Sequence, residues 1–270
     1  MSTAVAPRSG RVLGALVALA GALVIAFVVA PRPLANRVGA HFRDEDDLAQ
    51  AFRTAFIEYW QTGSREFTSD LAEVVDYWFR YHLVKAVLAA ILLLVLLALA
   101  VLLWRALLAA GEAGLGARVA LAVSGSVATV LALGSSVAVL ANVQGTVAPF
   151  ASLLPMVTGD DSAGVRAEVD QRVTDGTRTP PLDVMVDDFA RYHVAMAVLA
   201  AVTTVCLLGA CVLLWRASVR ARDRRSRRVL VSASVLVGVP ALLSIVVAVA
   251  NTTNAADPVP GLAALFTGGW

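Results

Sequence analysis

Five long apolar runs limit what this chain can fold into. They lie at Val12–Ala30, Leu83–Ala110, Val119–Asn142, Val194–Ala217 and Val229–Asn251. A helix of about 20 apolar residues crosses the roughly 30 Å of hydrocarbon in a bilayer, so each run is long enough to span one. Helix is the expected conformation, because a backbone in lipid must satisfy its hydrogen bonds within the segment. Charged residues make up only 16% of the chain, against about 25% in soluble domains. The expected fold class is an all-α integral membrane protein with five transmembrane helices.

The first run reads as an uncleaved transmembrane helix. It is longer than the hydrophobic core of a signal peptide. Its best small-residue cleavage site, Val28-Val-Ala30, is followed by Pro31.

Charge segregation sets the expected orientation. The link after the fourth run carries Arg216, Arg220, Arg222, Arg224, Arg225, Arg227 and Arg228, opposed only by Asp223. Cytoplasmic links are enriched in such cations. Arg8 and Arg11 flank the start of the first run. The two long connections hold nearly all the acids, from Asp44 to Asp76 and from Asp160 and Asp161 to Asp188. The predicted topology places the N-terminus in the cytoplasm. Both long connections and the C-terminal tail, Gly268-Gly-Trp270, lie outside. The basic turn is explained by topology and contact with anionic lipid, so no nucleic-acid partner is expected. The abundance of Ala, Val, Leu and Arg, with Lys85 the one lysine, suggests a GC-rich bacterial genome and a bacterial cytoplasmic membrane.

An internal repeat organises the chain. Asp76-Tyr-Trp-Phe-Arg80-Tyr81-His82 leads into an apolar run ending Leu102-Leu103-Trp104-Arg105-Ala106. Asp187-Asp-Phe-Ala-Arg191-Tyr192-His193 leads into a run ending Leu213-Leu214-Trp215-Arg216-Ala217, offset by 111 residues at both ends. The odd-numbered spans share the endings Ala35-Asn36, Ala141-Asn142 and Ala250-Asn251. The predicted unit is odd helix, outer loop, even helix, cytoplasmic turn. Unit 1 is residues 1–117 (span 11–30, loop 31–82, span 83–110), and unit 2 is 118–227 (span 118–142, loop 143–193, span 194–217). Residues 228–270 are a truncated third unit with a span at 229–251 and an outer tail. Each full unit crosses twice, so the repeats are parallel.

The long connections are expected to form a helical extracytoplasmic layer. Leu48, Phe52, Phe56, Tyr59 and Trp60 share one helical face behind an acidic first turn and ahead of Gly63. Val165, Val169 and Val173, followed by Gly176, repeat the pattern. Helix starts at Thr68 or Ser69 and at Thr179-Pro180 run on into the spans, predicting two long helices that extend past the bilayer. Small residues such as Gly14, Ala18, Ala22, Ser124 and Gly134 place the odd helices at the bundle centre, with the Leu-rich second span towards lipid. Pro240 is expected to kink the fifth span.

The candidate site residues are Asp76, Arg80, Tyr81, His82, Asp187, Arg191, Tyr192 and His193. The Asp–Arg pairs are four residues apart and are expected to face each other on their helices. Tyr81 and Tyr192, with Trp78, Trp104 and Trp215, fall where aromatic belts sit. The principal reading of the motif is an interface anchor. The competing reading is that His82 and His193 bind haem or a divalent metal. No third ligand type stands at metal spacing, so no cofactor is predicted. Cys206 and Cys211 are five apart, which is not a redox spacing, and are expected to be buried packing residues.

No catalytic motif is present, and no Asp, Glu, Arg or His stands near the middle of a run. Lys85 lies near an outer end, where it can snorkel. This argues against ion-coupled transport. The expected function is a non-enzymatic structural or interaction subunit of the bacterial cell envelope. It contacts membrane lipid and assembles with itself or another envelope protein through its outer layer. The alternative is a small-molecule or lipid transport protein or passive pore. A haem or metal redox protein is the third reading.

Overall fold

The computed structural model describes residues 7–111, 113–157 and 163–267. Asp160, Asp161 and the Gly268-Gly-Trp270 tail lie outside the described residues. All regular elements among the described residues are helical. Five helices are long and apolar enough to cross a membrane. They are α1 (Pro7–Val29), α4 (Ser69–Ala109), α5 (Leu115–Val147), α8 (Pro180–Arg220) and α9 (Arg224–Ala256). Shorter helices are α2 (Pro31–Ala35), α3 (Glu45–Thr62), α6 (Pro149–Leu153), α7 (Ala163–Thr174) and α10 (Pro258–Thr267), with a 3-10 turn at Leu154–Val157.

Helices α4 and α8 are both 41 residues long, and α5 and α9 are both 33. At 1.5 Å per residue the longer pair extends about 60 Å, twice the hydrocarbon thickness. Their starts follow the sequence signals. The Thr68 hydroxyl accepts the Leu71 N–H at 3.4 Å, and Pro180 opens α8, where a missing N–H costs nothing. Pro240 sits inside α9, which runs continuously through it. The first odd helix differs from expectation. It stops at Val29, and Pro31 begins the separate α2, because a proline ring cannot continue the i to i−4 ladder.

The chain forms two compact units. One comprises residues 31–84, 140–202 and 245–270. Its α3 is capped by Asp44, whose carboxylate accepts the Asp47 N–H at 2.9 Å, and ends at Gly63 in the left-handed conformation. Helix α7 ends at Gly176 with Thr177 N–H donating to Arg172 O and Gly176 N–H to Val173 O, a Schellman closure. The α3 face buries Leu48, Phe52, Phe56, Tyr59 and Trp60 as expected. It packs in one core with Leu71 and Val74 of α4, Val169 and Val173 of α7, and Leu182 and Met185 of α8. The Phe150 ring lies 4.9 to 6.4 Å from the rings of Phe67, Tyr59, Phe56 and Phe52. Helix α10, unforeseen in the C-terminal tail, buries Leu262 and Phe266 in the same core.

The other unit comprises residues 1–30, 85–139 and 203–244. Here α4 is the central helix, contrary to the expectation that the odd helices hold the middle. In an apolar 18-residue window, 39% of α4 is buried, against 22% in α5 and 6% in α1. Leu92, Leu96, Leu99 and Leu103 of α4 share clusters with Ala20 of α1 and Ala128 and Ala132 of α5. The small residues form sockets that admit leucine knobs. The cysteines also differ from expectation. Cys206 is exposed on α8, and only Cys211 is partly buried, its thiol donating to Ser234 O at 3.5 Å.

Two outcomes follow from the first core. Phe150→Ala should cost about 3–5 kcal/mol by loss of contacts and cavity formation, whereas Phe79→Ala, at a position 37% exposed, should cost little. Chemical denaturation of the purified protein separates them. Tyr59 is fully buried, and its hydroxyl finds no partner among the described residues. Burial pushes its phenol up to about 12, against the opposing field of Arg65. An unfolded tyrosine ionises near pH 10. Its contribution is thus fully present below that pH and is lost as pH rises towards about 12. Tyr59→Phe should flatten this alkaline decline in a melting-temperature series.

Candidate functional site: two histidine–asparagine pairs

His82 and His193 stand at matching places on α4 and α8. Each is four residues beyond an aromatic side chain on its own helix and meets it edge-on. The Trp78–His82 and Phe189–His193 ring centroids are both 4.5 Å apart. Each also meets an asparagine near the end of another long helix. His82 Nδ1 lies 3.0 Å from Asn142 Oδ1 on α5, and His193 Nδ1 lies 2.8 Å from Asn251 Oδ1 on α9. The histidines therefore turn towards separate asparagines on separate helices. Asn36, at the first of the three Ala-Asn endings, closes a loop instead, pairing with the backbone of Phe42 at 3.1 Å in both directions.

The second pair fixes a tautomer. Asn251 Nδ2 donates to Val247 O at 2.8 Å, so its Oδ1 faces the imidazole. His193 Nδ1 must then carry the proton, leaving Nε2 as an acceptor. His193 is 4% exposed, and this Nε2 has no hydrogen-bond partner among the described residues. At the first pair, a Cβ on Gly145 would come within 2.8 Å of the His82 ring. Only glycine lets the α5 backbone lie against that ring.

Further polar bonds surround the pairs. Gln144 Nε2 donates to Tyr192 O at 3.1 Å, and Trp78 Nε1 donates to Ser152 Oγ at 2.8 Å. Tyr81 stacks on Trp78 with centroids 5.2 Å apart. Beside His193 lies a cavity of about 670 Å³, lined by Gln144, Tyr192, Asn251 and Asn254 together with apolar side chains. Trp104 Nε1 donates to Thr129 Oγ1 at 3.0 Å, while Trp215 is exposed.

Of the two expected Asp–Arg pairs, one forms. Arg80 pairs with Asp76 and also donates to Ala35 O at 3.2 Å and Val38 O at 2.6 Å, satisfying carbonyls at and beyond the end of α2. Asp187 and Arg191 do not pair. Arg191 turns to Asp188 at 3.0 Å, and Asp187 receives Arg65 at 3.1 Å. The reason is burial. Asp188 is 7% exposed and accepts the Ala151 N–H at 2.8 Å, so the nearest cation on its helix serves it first. Spacing of three on a helix serves as well as four. The Asp187-Asp188 doublet was the available signal. The asparagine partners were also legible as repeated span endings, although their pairing with histidine was not.

Among the described residues no group of three or more His, Cys, Asp or Glu is placed to hold a metal ion. No protein-family model, curated protein or solved structure matches this chain.

Gly145→Ala should lower stability by about 1–3 kcal/mol through overpacking against the imidazole. A melting curve of the variant beside Gly134→Ala, where an added Cβ meets nothing within 4 Å, isolates the effect.

Proposed function

We propose that this chain is a non-enzymatic, multi-pass protein of the bacterial cytoplasmic membrane that acts as an interaction subunit through an extracytoplasmic helical layer. The observation that carries the reading is the core of the unit holding both long connections. Its buried aromatic and aliphatic side chains come from both connections, both 41-residue helices and α10. Linkers need no such core, whereas a surface held rigid for a partner does. The equal helix lengths and the two histidine–asparagine pairs support descent from a duplicated two-helix unit. The partner is a second copy or another envelope protein, and the surrounding solvent is membrane lipid. The N-terminus is cytoplasmic and the C-terminus extracytoplasmic.

Native mass analysis of the gently solubilised protein tests the assembly. A discrete oligomer or a stoichiometric co-purifying protein is expected. A monomer that captures no partner on crosslinking in native membranes would sink the reading. The orientation has its own test. In a cysteine-free background, Glu66→Cys should react with an impermeant maleimide on intact cells, and Arg222→Cys should react only after lysis.

Lipid handling is the second reading. A groove of about 860 Å³ runs along α1, α4 and α5, lined from Leu13 to Phe27, Ala89 to Leu103 and Val123 to Ala138 almost wholly by apolar groups. Each stretch is about 21 Å long, more than one leaflet of hydrocarbon. Transfer of labelled lipid in liposomes above that of empty vesicles would favour it.

A further inference from the structure

We propose that the groove along α1, α4 and α5 holds one anionic diacyl phospholipid of the bilayer, with its phosphate at Lys85 and its acyl chains against α4. This rests on the lipid reading of that groove and deepens it by naming the headgroup charge and the residue that meets it.

The lining residues and Lys85 all belong to the unit made of residues 1–30, 85–139 and 203–244. The floor of the groove is one stripe of α4. Ala89, Leu92, Leu96, Leu99 and Leu103 line it, are themselves buried, and alternate in spacings of three and four. Helices α1 and α5 form the walls, where Val24 and Leu131 are exposed. Lys85 stands four residues before Ala89, so it continues the floor stripe at one end of the groove. The geometry agrees. Lys85 Nζ lies 4.9 Å from the centroid of the Phe27 ring, and Phe27 is the lining residue furthest along α1. Phe27 falls within the last turn of the apolar span Gly10–Val29, and Lys85 near the start of the apolar run of α4. Span ends are the level at which lipid headgroups sit.

Charge decides the occupant. The groove volume of about 860 Å³ lies within the roughly 300–1,000 Å³ range of ligand sites. An apolar helix of a second copy would bring hydrocarbon but no anion to the lysine. It would also be too large, since a cylinder about 10 Å wide and about 21 Å long fills on the order of 1,600 Å³. A phospholipid brings both parts in the right order. Its chains follow the leucine stripe, and its phosphate oxygens accept from the ammonium, whose stem lies along apolar surface. An anionic headgroup keeps its full attraction for that ammonium, whereas the choline of a zwitterionic lipid offsets it.

The test uses the full chain in phosphatidylcholine nanodiscs that contain a phosphatidylglycerol with a diazirine in one acyl chain. The phosphatidylcholine with the same chain is the control. After irradiation, labelled residues are mapped by mass spectrometry. At equal mole fraction the phosphatidylglycerol probe should label Val24 and Leu131 about fivefold more than the control, the effect of one cation near an anionic lipid. Val205, exposed on α8 outside the groove, should be labelled equally by both. Lys85→Gln should remove the excess at Val24 and Leu131. Gly21→Leu combined with Gly134→Leu should also remove it while keeping the lysine. A Cβ added at either glycine meets nothing within 4 Å, so the new side chains have room to fill the groove. Equal labelling of the groove by both probes in the wild type, or an excess that survives Lys85→Gln, would overturn the proposal. So would crosslinks from Val24 or Leu131 to a second copy in place of lipid. The proposal and the lipid-handling reading fail separately. Lipid transfer in liposomes with no phosphatidylglycerol excess at the groove would overturn the proposal alone. An excess with no transfer would support the proposal and remove lipid handling.

Discussion

A backbone in hydrocarbon has only itself to bond with, and the rest of the fold adapts to that requirement. Helix follows directly, and so does the economy of polar groups along the five long helices. Their length does not follow from it. About 20 residues suffice to cross, yet α4 and α8 each run to 41 and α5 and α9 to 33. The excess turns of α4 and α8 carry Leu71, Val74, Leu182 and Met185, which join the core built on α3 and Phe150. One continuous helix thus supplies both an apolar stretch long enough to cross a membrane and an extension packed into a separate hydrophobic core.

Polar side chains stand at the start of the apolar stretches of α4 and α8. His82 and His193 each need a hydrogen-bond partner there, and each takes an asparagine from a neighbouring long helix. Such a bond joins two helices at a defined height. In the same region Gln144 bonds the α8 backbone at Tyr192, and Ala151 bonds Asp188. Bonds of this kind set the register between helices whose apolar flanks would tolerate sliding, since leucine against alanine fits at several heights.

Much of this was legible in the sequence, for identifiable reasons. The apolar runs, the α3 face and the stops at Gly63 and Gly176 depend on local chemistry. A few neighbouring residues decide each of them. What was not legible depends on competition between distant groups. The small residues of α1 and α5 suggested a central position, but small residues can equally be sockets, and only the surrounding helices show that α4 supplies the knobs. Asp187 and Arg191 have the spacing of a pair. Arg65, 122 residues from Asp187, and the buried Asp188 redistributed both partners. Spacing identifies which partners are within reach, and burial decides which of them is taken.

On the proposed duplication, the differences between the two histidine sites are more informative than their likeness. Both keep the aromatic side chain one turn back and the asparagine across, so that geometry is the inherited scaffold. Around it the first site has Trp78, bonded to Ser152, and Gly145 pressed to the ring. The second has Phe189, which offers no N–H, and Asn254. A tryptophan tied to a serine and a glycine that admits a backbone both consolidate packing. A phenylalanine and an asparagine stand at the same places, beside a cavity whose described lining residues are apolar or neutral. The same scaffold therefore supports a glycine pressed to the ring in one copy and a cavity beside the ring in the other.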